Sequence, residues 1–459
     1  MGNNESNHDQ ASLSDHLVYV LYRGFECFLR LLPMEFVCII GATMGQVTYF
    51  LMPRRRQIVL RNLRIVHHGR LSPRELNALA RKTFRTSGLN LVASITASTL
   101  TNKEIIERVE VVGREHLLNA LANNQGCILL LGHMGNWEVL TQLKTLVPEI
   151  KSPASLYRPL NNPLLNRLVK RRRQSRGAAL FNRFDGFTKP ITLLKSGGFL
   201  GVIADQSAGK HGMPVPLYGK LASMTNLPAL LHRKTKAPIL PVSMCTVSPG
   251  RWKVVVHPAL EVSADELKDT YKVTARCAKA YEQLMNESPA DVLWMHNYWR
   301  GANRTALKIR GSVPRNMKPA DLSFTVPFYL LIYIPMRPAN ESLGEVLRYL
   351  RSCRPDFHIT LVGSIPPPAE ADTTLPVVPD EPPHLAANAI RNYEASLPAP
   401  FDCALDLSLD GTGTTLLTMA GIDKIFALKN EPPVGGHDDP ANYQARLESF
   451  ITRISPAPE

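Results

Sequence analysis

The chain has 459 residues, is 44% hydrophobic and carries 53 Lys and Arg against 39 Asp and Glu, so it can hold two or three packed domains and is too apolar for a disordered chain. The charge is uneven: residues 1–310 hold 42 basic and 21 acidic side chains, residues 311–459 hold 11 and 18. The basic part suits an anionic membrane, a phosphorylated lipid or an acidic carrier protein, and without a zinc-finger, helix-turn-helix or RNA-binding motif no nucleic acid partner is expected.

Taken in chain order, residues 1–15 are polar and read as disordered. Leu17 to Leu32 contains Arg23, Glu26 and Arg30 and reads as an amphipathic, interfacial helix. Phe36 to Met52 has no charge over 17 residues, near the lower limit for crossing a bilayer. Its Gly41 and Gly45 have the small-xxx-small spacing of close helix packing. Arg54, Arg55, Arg56, Arg61 and Arg64 follow, and such a cluster stays on the cytoplasmic face. Residues 16–56 are therefore read as a membrane anchor, spanning or monotopic, without a convincing signal-peptide cleavage site.

Ser72-Pro73-Arg74-Glu75 is a capping box with Pro at the first helical position, and predicts a helix towards Ser98. Ser263-Ala264-Asp265-Glu266 predicts another to about Asn286. Between them, Cys127–Leu131, Ala154–Tyr157, Phe199–Ala204, Ile239–Cys245 and Trp252–His257 read as strands. Alternation of strands and helices points to a layered α/β domain over 57–305. Residues 306–325 read as a linker. The tail, 326–459, begins with a strand in Val326–Pro335. A helix from about Ser342 to Cys353, a strand His358–Val362, a Pro- and acid-rich loop Ile365–Pro383, a strand Asp402–Leu407 and a helix from about Thr414 follow. This is a small, Rossmann-like βαβ alternation. The seven cysteines are scattered, with no Cys-x-x-Cys pair; that argues against a disulfide framework or a zinc site and suits a reducing compartment.

The richest stretch is Leu129–Leu140, LLLGHMGNWEVL. A buried strand ends at Gly132 and presents His133 in a turn eased by Gly132 and Gly135. Glu138 follows on the next helix. A bare His-x4-acid spacing is expected about once by chance in a chain of this composition, so the spacing decides nothing by itself; the strand-tip context gives it weight. His133 reads as a general base for a hydroxyl attacking an acyl carbonyl, with Glu138 holding its tautomer. Backbone N–H groups near Gly135–Asn136 are candidates for the oxyanion, although Asn136 equally suits a helix cap. Arg158, at a strand end, suits phosphate or carboxylate, or a structural ion pair. Asp205 and Gln206 end another strand, where they can bind an acceptor, orient Arg158 or cap a turn. Lys170, Arg171, Arg172 and Arg173 with Arg176 form the densest basic run: a solvated face, or a dock for an acidic carrier protein or lipid phosphates.

GHMGNWE resembles the catalytic segment of the bacterial lipid A late acyltransferases, the lauroyl and myristoyl transferases. Supporting blocks come in the same order: Arg61-Asn62-Leu63, GREHLL from Gly113, Tyr157-Arg158-Pro159 with Asn162-Pro163, GGFLGVIADQ from Gly197, GMPVPLYGK from Gly212 and TKAPILPV from Thr235. The resemblance covers roughly residues 16–305. It implies a glycerolipid-acyltransferase-like αβα domain with an N-terminal membrane helix, His133 and Glu138 as the catalytic pair, and no metal or cofactor. It also implies transfer of a fatty acyl chain from acyl carrier protein or acyl-CoA to a hydroxyl of a lipid A-type phosphorylated glycolipid, at the cytoplasmic face of the inner membrane. Substrate-binding roles fall to Asn136, Arg158, Asp205, Gln206, Arg171, Arg172, Arg173 and Arg176. One block departs: in Trp294-Met295-His296-Asn297-Tyr298-Trp299 a tyrosine, Tyr298, stands where the family has arginine, with Arg300 two residues on. Acylation of another glycolipid, such as a mannoside or an ornithine lipid, is the nearest alternative; the glycerolipid acyltransferases' Glu-Gly-Thr-Arg block is absent. A non-catalytic scaffold for envelope glycolipid assembly is the rival class. In the tail, RPDFHITLVGS and FDCALDLSLDGTGT resemble part of the heptosyltransferase-type glycosyltransferases. Arg337-Pro338-Ala339-Asn340 stands where a Gly-Asp pair is expected, which suits an incomplete docking module.

Overall fold

A computed structural model describes residues 11–122, 126–182, 184–299, 322–334, 340–363, 368–377, 382–408, 410–422, 424–430, 447 and 449–450. The expected linker over 306–325 falls mostly outside these residues, as do Arg300 and Arg337. The chain divides into two compact units.

The first unit comprises Met1–Val59, Asn77–Gln206 and Thr225–His296. Its helices include α1 (Leu13–Arg30), α2 (Met34–Leu51), α3 (Pro53–Val66, whose last residues belong to the second unit) and α4 (Pro73–Ala97, which starts in the second unit). Helix α1 begins earlier than expected. Ser12 accepts from the Asp15 N–H while the Asp15 side chain accepts from the Ser12 N–H, a capping box that orders residues read as disordered. The box Ser72–Glu75 forms as predicted, with Glu75 accepting from the Ser72 N–H at 2.8 Å. The box Ser263–Glu266 also forms but opens only a 3₁₀ turn. Asp269 then captures the N–H groups of Tyr271 and Lys272 and starts the helix Thr270–Glu287 afresh.

The strands of this unit are β1 (Val109–Val112), β2 (Cys127–Leu131), β3 (Pro153–Tyr157), β4 (Ala179–Asn182), β5 (Phe199–Ile203), and, beyond the hairpin of β6 (Met213–Leu217) and β7 (Lys220–Met224) that belongs to the second unit, β8 (Ile239–Ser248) and β9 (Arg251–Val256). They form one sheet in the order β1-β9-β8-β2-β5-β3-β4. All pairs are parallel except β8 with β9. Strand β2 is central, buried along its whole length, as its unbroken CILLL run requires. Its register sets Leu129 beside Gly201 and Leu131 beside Ile203 of β5, so the carboxyl ends of β2 and β5 lie side by side.

The second unit comprises Leu60–Leu76, Ser207–Met224 and Asn297–Glu459. Strands β10 (Phe328–Ile334), β11 (Phe357–Gly363), β12 (Thr373–Pro376), β13 (Cys403–Asp406) and β14 (Ile425–Ala427) form a parallel sheet in the order β12-β11-β10-β13-β14. This is the arrangement of a doubly wound α/β sheet. Strand β12 lies inside the segment read as loop; two β-branched threonines extend it and its proline limits it to the sheet edge. Residues 60–76 and the β6–β7 hairpin group with this sheet, not with their sequence neighbours. Lys220 on β7 is buried and donates to Asp402 at 2.7 Å and to the Pro327 carbonyl at 2.6 Å. Asp402 also accepts from Arg61 at 2.5 Å and from the Tyr329 N–H at 2.8 Å. Tyr298, the departure from the family block, is a buried core side chain here.

Candidate active site

Strand β2 delivers His133 two residues past its tip. Gly135 turns the chain with φ +55°, and a Cβ there would overlap the Met244 carbonyl oxygen; only glycine meets both demands. A second segment braces the loop. The Gly135 N–H donates to the Asp291 carbonyl at 3.0 Å and the Leu293 N–H to the His133 carbonyl at 2.9 Å. The Asp291 side chain is itself fixed by Asn90 (3.1 Å), Thr246 (2.6 Å) and Ser288 (2.6 Å). Tyr281 ties the two strand tips together: its hydroxyl donates to the Leu131 carbonyl at 2.9 Å and accepts from the Ala204 N–H at 3.1 Å.

The carboxylate on His133 is Asp205, not Glu138. Asp205 lies past the tip of the neighbouring strand β5. Its Oδ1 is 2.7 Å from His133 Nδ1 and its Oδ2 accepts from the His133 backbone N–H at 2.9 Å. An ionised carboxylate only accepts, so Nδ1 carries the proton and Nε2 is left as the basic atom. The electrostatics agree for both partners. Burial pulls the imidazolium of His133 down, but the Asp205 charge and hydrogen bond, with the Glu138 charge, outweigh it and leave the pKa raised. Burial pushes Asp205 up, but His133, with a contribution from His296, holds its carboxyl below the usual range. The pair is thus an ion-pair-capable unit in a site where Asp205 is 1% exposed.

Glu138 instead accepts a two-pronged bond from Arg173, with Nε to Oε2 at 2.9 Å and Nη2 to Oε1. It sits on a 3₁₀ helix, Trp137–Gln142, not an α-helix, and reaches His133 only through its field. Trp137 packs edge-on to the His133 ring, with centroids 5.4 Å apart. An apolar cavity opens beside Glu138 and Arg173, lined by Leu129, Leu131, Trp137, Gly201 and Ile203.

The other expected residues divide. Asn136 does not cap its helix; it is 1% exposed, and neither its Oδ1 nor its Nδ2 has a partner among the described residues. The Gly135 N–H, a candidate for the oxyanion, is already spent on Asp291. Arg158 is exposed just after β3 and Gln206 is half-buried; no bond brings either to His133. The basic run is mostly engaged inside the unit: Arg172 binds Tyr22 and Glu26, Arg173 binds Glu138, and Arg176 binds Asn102 and the Leu100 carbonyl. Of the four arginines expected to offer a docking face, only Arg171 is exposed. Among the described residues, no group of three His, Cys, Asp or Glu is placed to hold a metal.

Residues 8–301 match the family model of the bacterial lipid A biosynthesis acyltransferases. The chain is 25% identical over 272 residues to a lipid A biosynthesis lauroyltransferase of Escherichia coli K12, covering 59% of this chain and 87% of that protein. It is 23% identical over 272 residues to a lipid A biosynthesis palmitoleoyltransferase of the same organism, covering 59% and 86%. To a phosphatidylinositol mannoside acyltransferase of Mycolicibacterium smegmatis it is 28% identical over 204 residues, covering 42% and 63%.

Proposed function

Given that the chain belongs to the bacterial lipid A biosynthesis acyltransferase family, we propose that it moves a fatty acyl chain from acyl carrier protein or coenzyme A onto a hydroxyl of a lipid A-type phosphorylated glycolipid, at the cytoplasmic face of the inner membrane. The observation that carries the mechanism is the His133–Asp205 pair at adjacent strand tips. Nε2 of His133 takes the proton of the acceptor hydroxyl as its oxygen attacks the thioester carbonyl. Asp205 keeps the other ring proton on Nδ1 and offsets the charge of the imidazolium. When the tetrahedral intermediate collapses, the C–S bond breaks and the thiolate leaves with the proton from Nε2. Asn136 Nδ2, buried and unpartnered, is the donor available to the developing oxyanion. The apolar cavity beside Glu138 and Arg173 takes the acyl chain. Of the arginines assigned to substrate binding, Arg158 and Arg171 are exposed and available to phosphate.

A mannoside is the second acceptor worth testing, because the chain is also similar to phosphatidylinositol mannoside acyltransferases. For the C-terminal sheet we favour a heptosyltransferase-related docking role over a second transferase activity, since Arg337-Pro338-Ala339-Asn340 replaces the expected Gly-Asp.

The test supplies labelled acyl carrier protein, acyl-CoA, a tetra-acylated lipid A precursor and a phosphatidylinositol mannoside to membranes containing the protein. Product that forms with the wild type and vanishes with His133→Ala supports the reading. A wild type inactive on every donor and acceptor pair refutes the reading and favours a scaffold; activity retained by His133→Ala refutes His133 as the base.

A further inference from the structure

Helix α1 is built inside out. Its charged side faces the protein: Glu26 is 0% exposed and pairs with Arg23 at 2.9 Å, Arg30 at 2.7 Å and Arg172 of the helix Pro163–Gln174. Its apolar side faces out, with Leu13, Leu17, Leu21, Phe28 and Leu31 between 51% and 91% exposed. Single exposed apolar residues are ordinary on a soluble protein; a continuous stripe is not. Helix α2, next in the chain, also exposes apolar side chains: Phe36, Ile39, Val47 and Phe50.

The other face of α2 is committed to α4. Gly41 and Gly45 meet Gly88 backbone to backbone, and a Cβ at any of the three would collide with the opposite main chain. Both ends of α2 are held by the same unit: Glu35 pairs with Arg108 at 2.8 Å, and the Tyr49 hydroxyl donates to Asn77 at 3.0 Å. Because α2 and α4 run antiparallel, α4 brings its exposed Arg85 beside Gly45, part-way along α2. At 18 residues α2 is about 27 Å long. Were it to span, α4 would have to follow it into the bilayer, Arg85 would enter the hydrocarbon about 9 Å from the nearer end of α2, where a cation is expensive, and the Glu35–Arg108 pair would lie at the opposite face. Exposed cations lie next to the patch in sequence and in packing. Arg54 and Arg55 follow α2 directly, and Arg167, Lys170 and Arg171 lie on the helix that packs along α1.

We infer that α1 and α2 form an in-plane anchor that sinks its apolar faces into one leaflet of an anionic phospholipid membrane without crossing it. This rests on the geometry of residues 13–97 and 163–174 and is independent of the reaction proposed above. Apolar side chains supply the insertion energy and the basic border supplies the preference for anionic headgroups.

Two measurements on the full-length protein test it. In flotation, the wild type should bind phosphatidylcholine vesicles containing phosphatidylglycerol far better than vesicles of phosphatidylcholine alone. A Leu17→Glu/Leu21→Glu variant should lose at least about tenfold in partitioning. Equal binding to both vesicles, or no binding to either, overturns the proposal. Topology is read separately, so that a variant that misfolds does not decide the matter. Ser12→Cys, Glu35→Cys and Arg54→Cys are placed singly in a Cys27→Ser/Cys353→Ser background and exposed to an impermeant maleimide on sealed membrane vesicles. All three should be modified from the same side. Modification of any one from the opposite side means that a helix crosses, and the inference fails.

Discussion

Replacing Asp205 with asparagine keeps the shape of the site and removes its logic. Asp205 makes two bonds to one residue, at 2.7 Å to Nδ1 and 2.9 Å to the backbone N–H of His133, and it is buried, so water cannot substitute. The backbone N–H requires an oxygen, which turns the asparagine NH₂ towards Nδ1. The ring must then accept there and carry its proton on Nε2, the atom that has to be the base. An equivalent exchange in a Ser-His-Asp triad costs about 10⁴-fold in kcat, and a loss of roughly 10³–10⁴ is expected here, with KM for the acceptor nearly unchanged. The pH profile adds an independent mark. The raised His133 pKa places the wild-type acid limb of kcat/KM above the ordinary histidine value of about 6.5, and loss of the Asp205 charge should move it down. Single-turnover acyl transfer across pH, with ¹⁵N shifts of the ring, measures both. Activity within tenfold of the wild type, with the proton still on Nδ1, would falsify the assignment of Asp205.

Because Glu138 touches Arg173 and not His133, Glu138→Gln and Arg173→Met should lose activity to a similar degree, and the double variant should lose little more; fully multiplicative losses in the cycle would show that the two act separately. Asp291→Asn should lower kcat by at least about tenfold without raising KM, and lower stability to urea by about 2 kcal/mol, since a buried carboxylate with three side-chain partners fixes the carbonyl that holds Gly135. The His133–Asp205 pair also links stability to pH. A His133 pKa raised by folding means that the pair stabilises the fold fully below the unfolded histidine value, and that this contribution fades as pH rises through the raised folded value; urea titrations of wild type and Asp205→Asn should converge in that window. Lys220→Met should destabilise the second unit by about 3 kcal/mol in chemical denaturation, because it strips a buried partner from Asp402.

The placement of His133 was legible in the sequence because what sets it at a strand tip is local: an unbroken apolar strand, Gly132 at its end, and Gly135 two residues past the histidine. Its partner was not. Asp205 is 72 residues away and reaches His133 only because β5 lies beside β2 in the sheet. The one available signal was that Ile203-Ala204-Asp205 also ends a buried strand. The role given to Glu138 came from spacing, and the 3₁₀ geometry of Trp137–Gln142 turns that carboxylate towards Arg173. Asn136 fails as a cap because its own backbone, at φ −93° and ψ +68°, lies outside the extended region of an N-cap. In the basic run, charge density read as solvation, whereas three of its arginines are consumed by partners far apart in the chain. The β6–β7 hairpin escaped a strand reading because Pro214 and Pro216 interrupt its first strand; two residues apart, they share one face and pairing with β7 survives.

The buried bond between Lys220 and Asp402 joins residues 182 positions apart in the chain, and that interval is also a time. At about 5–20 residues per second, synthesis of the intervening segment takes roughly 10–40 s. For that period the nascent hairpin has emerged, or is emerging, with a lysine whose counter-charge does not yet exist. The second unit is therefore completed after translation of its first two segments by many turnovers of the ribosome, and its earlier pieces must be kept from aggregating until residues beyond 400 arrive. Slow codons before Asp402, or a chaperone bound to residues 207–224, would change the yield of active protein without altering a single contact in the finished molecule.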